Sequence, residues 1–550
     1  MTLLVRRGVF KSRKPSVCAT GKAVLPALSL FLLGACASQP SAPQTLIPFE
    51  TAQRTFSVGF QQLSDRYVEF VPVGVLGFEG LRGLNALDPD FDAVRVGNSI
   101  SFGVDASHRH VLKAPGETDA DGWASLAVDA VRLTQPDSPT IATAPLDRIY
   151  EAIFDGSLSL LDSHSRYSGA DEAIRNREKR SGFGGIGVVM QTTARGAAVV
   201  QVMAGSPAIR AGLVEGDVIT HIDGHPIGPS SDISNVTRGP IGTSVVLNVA
   251  KRNGETVELD IKRQRVIAPT VEVTVHDEVV TARISGFNRS TTRDLSAQVN
   301  DAIARLRGSA RGLVLDLRGN PGGLLSEAVR VADLFIADGR ILTTQGRHPA
   351  SIHTYDAGED DIAADLPMAV LVNSRSASAS EIVAAALQDH DRAIVIGSSS
   401  YGKGTVQMIL ALPNEGELTI TWSRFLTPSG YVLNGLGVHP SICTSAPGAN
   451  ADQVIRRALD GGSDLTHILE TWRGIDRHPE ADRRKLRALC PASDLAGELD
   501  GIVAEAVIGD ANLYQRFLAF APTAVAAGHS PEEPESAKNG SLSERPAGKP

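Results

Sequence analysis

The chain has 550 residues, of which 42% are apolar, and its formal net charge is −9 at neutral pH. At about 150 residues per domain, this length predicts three or four domains with cores of their own. Acidic and basic residues are well mixed and no basic stripe is visible, which argues against a nucleic-acid-binding protein.

Residues 1–36 have the pattern of an export signal. A basic segment precedes the apolar residues 23–33, AVLPALSLFLL, which are too few for a permanent membrane span. The sequence Leu33-Gly34-Ala35-Cys36 follows and resembles the lipobox of bacterial lipoprotein signal peptides. The resemblance implies that Cys36 is acylated and becomes the mature N-terminus, so that lipid anchors the protein to a membrane. An ordinary secretory signal with an incidental Cys36 is the alternative.

The residues after Cys36 predict where the anchored protein resides. Ala37 and Ser38 come next, and no Asp stands there to favour retention at the inner membrane. We therefore expect a lipid-anchored protein on the periplasmic face of a bacterial cell envelope, at the outer rather than the inner membrane. Residues 37–45, ASQPSAPQT, form a short tether between this anchor and the folded chain.

Residues 46–180 form an N-terminal helical region in which FSVGFQQLSDRYVEF and LDRIYEAIFDGSLSLLD show helical patterns. Residues 92–143 interrupt this region with a turn-rich stretch. SISFGVD and WASLAVDAVRL alternate there between apolar and polar residues, which predicts a β-rich insertion.

Residues 181–267 contain short strand patterns separated by glycine-rich turns. Phe183-Gly184-Gly185-Ile186-Gly187-Val188 opens with a glycine-dense turn, where backbone N–H groups can converge on a carboxylate. Residues 206–224 add a short helix, a strand and a hairpin turn. The order of elements resembles a PDZ domain, which implies that the loop of Gly184, Gly185, Ile186 and Gly187 binds a free C-terminal carboxylate. A β domain that only packs against its neighbours is the alternative.

Residues 268–446 alternate strand and helix patterns, from VTARISGF through GLVLDLRG and MAVLVN to AIVIG. This alternation predicts an α/β core. Residues 447–526 have helical patterns and form a C-terminal helical region. Residues 527–550 are polar and Pro-rich, so we expect a disordered tail.

Within this core, residues 374–388 read SRSASASEIVAAALQ and place four serines before an alanine-rich helical run. Ser378 and Glu381 have the Ser-x-x-Glu spacing of a capping box, so Ser378 serves at least as a helix N-cap. The same position suits a nucleophile, because the helix N-terminus supplies a positive field and free N–H groups. The N–H of Ala379 would there stabilise a developing oxyanion.

A serine nucleophile needs a base, and no nearby histidine stands in a recognisable partner motif. Lys403, between Gly402 and Gly404, can act as the base if burial lowers the pKa of its amine. Gln407 follows four residues later, a spacing at which its amide can orient the Lys403 amine. A solvated surface lysine is the alternative interpretation of Lys403.

Together, SASASE, Lys403 and Gln407 resemble the C-terminal (tail-specific) processing peptidases of family S41. Residues 162–167 (DSHSRY), 312–323 (GLVLDLRGNPGG) and 435–440 (GLGVHP) agree, and the resemblance covers about residues 50–445. Ser163 stands where the family has a proline. We expect this departure to lie away from the catalytic residues and to change only the local loop.

The resemblance implies that Ser378 is the nucleophile, Lys403 the general base and Gln407 its orienting partner. The oxyanion hole would combine the N–H of Ala379 with that of a glycine in Pro321-Gly322-Gly323, and Gly323 is favoured over Gly322. The implied fold is a mixed α/β, multidomain chain. It has a crotonase-like serine protease core, an inserted PDZ domain and helical regions at both ends.

The expected activity is that of a serine endopeptidase that cleaves proteins near their C-termini after its PDZ domain has captured the tail. Two alternatives are a catalytically inactive, lipid-anchored PDZ scaffold or adaptor of the cell envelope, and a non-proteolytic enzyme on a crotonase-like core. No motif with metal-ligand spacing occurs, and we expect neither a metal nor a cofactor. The expected partners are proteins or peptides with free C-termini and no nucleic acid. A helper lipoprotein and a homo-oligomer remain open.

Two cysteines, Cys443 and Cys490, remain once the signal peptide is removed and Cys36 carries lipid. In an oxidising periplasm two remaining cysteines tend to pair, so we expect a disulfide between them. Two separate buried thiols are the alternative.

Overall fold

The computed structural model of the chain describes residues 48–520, except residues 204, 229–232, 359, 447, 475–479 and 495–496. The predicted signal peptide, the lipidation site Cys36, the tether and the predicted tail lie outside the described residues. Within the described part of the chain, none of the helices combines the length and the apolar content that crossing a bilayer requires.

The N-terminal region is a helical layer that packs around aromatic side chains. Phe56 and Phe154 lie 5.5 Å apart between ring centroids, and Trp123 is fully buried beside them in the same apolar core. The helices of this region are α1 (Phe49–Arg66), α2 (Val73–Arg82), α3 (Ala120–Thr134), α4 (Pro139–Thr143), α5 (Leu146–Leu158) and α6 (Ala170–Ser181). Its strands are β1 (Asp92–Val96), β2 (Ser99–Gly103), β3 (Arg109–Lys113) and β4 (Arg166–Ser168).

The predicted β-rich insertion is only half right. Strands β1, β2 and β3 form an antiparallel sheet, but WASLAVDAVRL belongs to helix α3 and not to a strand. The side chain of Asp119 caps α3 by accepting from Gly122 N–H, and alanines with high helix propensity fill the buried face. Because that face is broad and apolar, the helical spacing of its residues resembles, over a few residues, the apolar–polar alternation of a strand.

The segment between 181 and 267 forms an antiparallel sheet around its own apolar core. The sheet order is β11-β10-β8-β7-β6, with β9 paired to β8, so β6 lies at an edge. The elements are β5 (Phe183–Gly185), β6 (Val188–Thr193), β7 (Gly196–Val202), α7 (Pro207–Arg210), β8 (Val218–Ile222), β9 (His225–Pro226), α8 (Ile233–Thr237), β10 (Ser244–Ala250), β11 (Thr256–Lys262) and β12 (Gln264–Val266). Strand β12 pairs with β5 and closes the segment.

The core between 268 and 446 is built on a six-stranded sheet of order β13-β14-β15-β18-β19-β22, parallel from β14 to β22. Every residue of β15 and of β18 is buried, as in parallel sheets covered on both faces. The elements are β13 (Val271–His276), β14 (Val279–Ile284), α9 (Thr291–Leu306), β15 (Gly312–Asp316), α10 (Leu325–Asp333), β16 (Gly339–Gln345), β17 (His353–Ala357), β18 (Met368–Val372), α11 (Ala379–Asp389), β19 (Ile394–Gly397), β20 (Thr405–Ala411), β21 (Glu417–Leu426) and β22 (Ile442–Cys443).

A second sheet, of order β17-β16-β21-β20, connects this core to the N-terminal region. Strand β4 pairs with β21, and Leu418 and Ile420 of β21 belong to the apolar core of the N-terminal helices. Helix α6 is tied to the same strand, because Arg177 and Arg180 donate to the buried carboxylate of Glu417. Residues 166–180 are therefore held against the α/β core although they precede it by about a hundred residues.

The C-terminal helices cover one face of the parallel sheet. They are α12 (Ala451–Asp460), α13 (Gly462–Arg473), α14 (Glu480–Arg487), α15 (Glu498–Ile508) and α16 (Ala511–Leu518). Cys443 of β22 and Cys490 form a disulfide, with sulfur atoms 2.04 Å apart. This bond joins the last core strand to the segment between α14 and α15.

Candidate active site

Three loops meet at one edge of the parallel sheet. Strands β15, β18 and β19 are neighbours and end at Asp316, Val372 and Gly397, so the loops that follow them leave from the same edge. Ligands and catalytic groups of α/β sheets collect at the carboxyl ends of such strands. Here the three loops carry the Gly322-Gly323 turn, Ser378 and Lys403.

Ser378 occupies a strained backbone position at the start of α11. Its φ is +56° and its ψ is −111°, which a non-glycine residue adopts at a cost of about 1–3 kcal/mol unless the surroundings impose it. The surroundings do so here. Ser376 Oγ donates to Leu317 O at 2.8 Å, and Ser380 Oγ donates to Asn320 O at 2.9 Å. The serines on either side of Ser378 thus tie its loop to the glycine turn.

Glu381 connects the loop of Ser378 to the loop of Lys403, here called the lysine loop. Its carboxylate is fully buried and accepts from the N–H groups of Ser378 (2.7 Å), Gly402 (2.6 Å) and Lys403 (2.9 Å) and from Ser400 Oγ (2.5 Å). Burial raises the pKa of Glu381, and these four donors oppose the rise. The predicted capping residue therefore also fixes the backbone at Lys403.

Lys403 lies in the same cleft as Ser378, which has a volume of about 330 Å³. Burial lowers the pKa of Lys403, and the positive charge of Arg166 lowers it further, while Asp162 and Glu381 raise it. A lowered pKa favours the neutral amine that a general base needs. Lys403 is half-buried, unlike a fully solvated surface lysine.

The segment of residues 162–167 lies beside Lys403, which corrects the expectation that the Ser163 departure is remote from the catalytic residues. Asp162 and Arg166 both act electrostatically on Lys403, and burial and Lys403 together lower the pKa of His164. Ser165 Oγ accepts from Thr421 N–H of β21, which holds the segment in place. This loop therefore lies within electrostatic reach of Lys403.

Gln407 also lines the cleft, on strand β20. Its Nε2 donates to Thr405 Oγ1 at 2.9 Å and to Thr421 Oγ1 at 3.2 Å. With Nε2 engaged in this way, Oε1 is the atom that can accept from the Lys403 amine. Among the described residues, no hydrogen bond joins the two side chains.

The hydrogen bonds distinguish the candidate oxyanion donors. The N–H of Gly322 donates to Asn320 Oδ1 at 2.9 Å and is therefore occupied. The N–H groups of Gly323 and Ala379 have no acceptor among the described residues, and both residues line the cleft with Ser378. A Cβ on Gly322 would come within 3.0 Å of Ser378 Cβ. Gly322 thus provides room for Ser378, and Gly323 is the better donor.

The C-terminal region forms hydrogen bonds with the lysine loop, which the sequence did not indicate. Arg487 of α14 donates to Ser400 O at 2.7 Å and to Leu436 O, while Ser399 Oγ donates to Cys490 O at 2.7 Å. Glu381 raises the pKa of Arg487 against the effect of burial, which places the two charges near each other. No motif in residues 447–526 signals this contact, because one arginine side chain and the backbone carbonyl of Cys490 make it.

Histidines do not line the cleft in the described part of the chain. His390 lies at the opposite end of α11, with Nε2 2.6 Å from Arg340 O. Burial lowers the pKa of His439 to about 4, and its ring packs 4.9 Å from that of Trp472. Described residues also contain no group of three or more His, Cys, Asp or Glu arranged to hold a metal ion.

The predicted carboxylate loop lies at the start of the edge strand β6. The N–H groups of Ile186 and Gly187 have no acceptor among the described residues. The remaining glycines serve packing: Gly184 O accepts from Gly239 N–H, and a Cβ on Gly184 would approach Gly239 O to 2.0 Å. An edge strand next to two free N–H groups can accept an extended peptide with its terminal carboxylate.

Comparisons with known proteins agree with this architecture. Residues 279–444 match the model of peptidase family S41, and residues 184–262 match that of the PDZ domain. The chain is 38% identical over 312 residues to the carboxy-terminal-processing protease of Bartonella bacilliformis, covering 56% of this chain and 72% of that protein. The chain belongs to peptidase family S41.

A second relative agrees with membership of the S41 family. The S41 peptidase is 34% identical over 337 residues to a probable CtpA-like serine protease of Staphylococcus haemolyticus, covering 60% of this chain and 67% of that one. A solved structure, the photosystem II D1 C-terminal processing protease, shares 25% identity with a TM-score of 0.34, covering 67% and 92% of the two chains.

Three of the expectations are confirmed for this S41 peptidase. It is a serine-type protease of the C-terminal processing class, and it has a PDZ domain. Its fold is the predicted mixed α/β chain, with a protease core, an inserted PDZ domain and helical regions at both ends. Protein or peptide substrates follow from this class, and the alternative of a non-proteolytic enzyme is not supported.

Proposed function

We propose that this peptidase cleaves proteins near their C-termini with Ser378 as nucleophile, Lys403 as general base and Gln407 as the residue that orients the base. One observation carries the proposal. Ser378 and Lys403 line one cleft together with Gly323 and Ala379, whose N–H groups are unoccupied among the described residues. Nucleophile, base and oxyanion donors thus converge on a single space.

The reaction proceeds in two steps. Neutral Lys403 takes the proton of Ser378 Oγ as that oxygen attacks the scissile carbonyl carbon, and the N–H groups of Ala379 and Gly323 stabilise the oxyanion. The C–N bond breaks as the proton passes to the leaving amine, which leaves an ester on Ser378. Lys403 then takes a proton from water, the water oxygen attacks the ester, and Ser378 regains its proton.

The PDZ domain holds the tail of the substrate during this reaction. In the proposal, the free N–H groups of Ile186 and Gly187 bind the terminal carboxylate, and the tail adds as a strand to the edge of β6. Helix α6 leads directly from the cleft into this domain, since it ends at Ser181 and β5 begins at Phe183. A chain held at the PDZ loop is therefore presented close to the cleft.

Residues 1–36 support a further part of the proposal, a lipid anchor on Cys36 that keeps the peptidase at the periplasmic face of the cell envelope. A Cys36→Ser variant expressed in a bacterium should move from the membrane fraction to the soluble periplasmic fraction and should not incorporate labelled palmitate. Unchanged membrane association and labelling in the variant would contradict the anchor. Any helper lipoprotein or self-association is independent of this result.

The test of the peptidase mechanism uses the full chain in mild detergent and an unfolded reporter protein with an apolar free C-terminus. We expect cleavage products by mass spectrometry for the wild type and none for Ser378→Ala. Ser374→Ala is the matched control, because it changes a serine of the same loop that does not line the cleft. Cleavage by Ser378→Ala at the wild-type rate would contradict the nucleophile assignment.

A further inference from the structure

Basic side chains line the proposed catalytic cleft although the chain as a whole is negative. The net charge of the chain is −9. Nevertheless, the cleft is lined by Arg166, Lys179, Arg180 and Lys403, and no Asp or Glu is among the described residues that line it. General base catalysis uses neutral Lys403, so it accounts for one of these four side chains only. The other three require a separate explanation.

Arg166 is placed in the cleft by the second sheet. It begins strand β4 and pairs with Thr419 of β21, a residue that also lines the cleft. Its charge lowers the pKa of Lys403, which shows that the guanidinium lies within electrostatic reach of the catalytic amine. Arg166 is exposed, and it takes part in no ion pair among the described residues.

Lys179 enters the cleft from α6, and its helix is anchored by its neighbours. Arg177 and Arg180 both donate to Glu417, at 3.0 and 2.9 Å, and the side chain of Glu417 is only 5% exposed. This anchor pairs Arg180 with a carboxylate and holds the helix in which Lys179 lines the cleft. Lys179 is exposed and, like Arg166, has no ion-pair partner among the described residues.

Apolar side chains form a large part of the remaining wall. Leu324, Ile382, Val406 and Phe425 line the same space, so the cleft combines an apolar surface with two unpaired cations. A substrate segment that fits the cleft therefore has an apolar side chain and, close to it, a carboxylate. Since α6 leads from these cations to the PDZ domain, the carboxylate belongs to the part of the tail between the scissile bond and the PDZ loop.

We propose that Arg166 and Lys179 form a subsite that binds a carboxylate of the substrate on the tail side of the scissile bond. The carboxylate is either an Asp or Glu side chain or the terminal carboxylate of a short tail. The inference rests on the proposed catalytic role of Ser378 and names the substrate class that this cleft prefers. It differs from the PDZ loop, which binds through backbone N–H groups rather than side-chain cations.

The test uses the full chain in mild detergent and reporter peptides with one scissile bond. One pair of peptides has Glu or Gln after that bond, and a second pair has a short tail ending in a free carboxylate or an amide. At low salt we expect wild type to favour the carboxylate member of at least one pair by about tenfold in kcat/KM, since a charge-assisted bond is lost with the neutral member. Salt should reduce this preference.

Lys179→Gln should lose the preference, and Lys179→Glu should reverse it towards a peptide with Lys at that position. Arg175→Gln is the matched control, because it removes a cation from the same helix that does not line the cleft. If Lys179→Gln no longer discriminates between the Glu and Gln peptides, the subsite binds a side-chain carboxylate. If it no longer discriminates between the free and the amidated tails, the subsite binds a terminal carboxylate. Both results support the subsite.

A preference that is unchanged in Lys179→Gln, or that falls equally in Arg175→Gln, would overturn the subsite. An amidation effect of equal size in wild type and Lys179→Gln belongs to the PDZ loop and counts against the subsite as well. Failure of the proposed function gives a different result. In that case neither wild type nor any variant cleaves the Gln peptide in a way that depends on Ser378.

Discussion

The PDZ loop and the catalytic cleft both use backbone N–H groups beside glycines, but they are assembled differently. The PDZ loop is one continuous stretch, Gly184 to Gly187, and its free N–H groups belong to neighbouring residues. The cleft takes its groups from Arg166, Lys179, Gly323, Ser378 and Lys403, which belong to separate elements. A recognition loop can be encoded in four residues, whereas a catalytic cleft depends on the whole arrangement of strands.

This difference predicts that the cleft can be disabled without loss of tail binding. Lys403→Met removes the base while keeping side-chain length, so kcat/KM should fall by about 10⁴-fold or more. Binding of a tail peptide by the PDZ domain, followed by fluorescence anisotropy, should not change. Lys113→Met, an exposed change outside the cleft, is the control. Cleavage within tenfold of wild type would refute Lys403 as the base.

The disulfide should matter more for the protease core than for the PDZ domain. Cys443→Ser/Cys490→Ser releases the segment whose Cys490 O accepts from Ser399 Oγ next to the lysine loop. We expect the free energy of unfolding of the core to fall by about 2–4 kcal/mol. Thermal melting and hydrogen exchange measure this, with the amides of β10 in the PDZ domain as the internal reference. Equal loss of protection in both regions would contradict the expectation.

Glu381→Gln tests how far the cleft depends on one buried carboxylate. The amide can keep its oxygen towards Ser378 and Lys403 N–H only by turning its NH₂ group towards Gly402 N–H, so a bond is lost and the lysine loop shifts. We expect kcat to fall by about 10- to 100-fold with little change in KM. Glu327→Gln, a buried carboxylate outside the cleft, is the control for stability. Equal kcat in both variants would refute the role.

The smallest effect is expected at Arg166, through the pH profile. Its charge lowers the pKa of Lys403, as burial does, whereas Asp162 and Glu381 raise it, and His164 faces the same amine. Arg166→Gln therefore raises the pKa of Lys403. The base must be neutral, so the ascending limb of kcat against pH moves to higher pH, and kcat at neutral pH falls about two- to fivefold. If the ascending limb of the pH profile stays in place in Arg166→Gln, or moves equally in the control Arg175→Gln, the effect of Arg166 on the pKa of Lys403 is contradicted.

Sequence patterns located most helices and strands, but the prediction failed where the helical and the strand period of apolar residues are hard to tell apart. WASLAVDAVRL was predicted as a strand and is part of α3, because Trp123, Ala127 and Val131 lie on one buried helical face. Strand Val218–Ile222 and the turn at Asp223-Gly224 agree with the structure, since glycine and aspartate turn chemistry is local. Short-range signals were reliable wherever neighbouring residues decide the conformation.

The residues themselves pointed to Ser378, Ala379, Lys403 and Gln407 as candidates, and the resemblance to family S41 added Gly323. The resemblance already favoured Gly323 over Gly322, and the structure supplies a physical reason, since Asn320 Oδ1 accepts from the N–H of Gly322 and not from that of Gly323. The same holds for Glu381, whose capping role was predicted from sequence but whose bonds to the lysine loop were not.

The sequence by itself determined the PDZ loop, the candidate nucleophile and the candidate base, because each is written in a short run of glycines, serines or a lysine. Only the tertiary structure decided what surrounds them. Arg166 and Lys179 enter the cleft because β4 pairs with β21 and Glu417 anchors α6, and Arg487 reaches the lysine loop from α14. Electrostatic effects act through space, so the charges that tune the base cannot be read from residues adjacent to it in the chain.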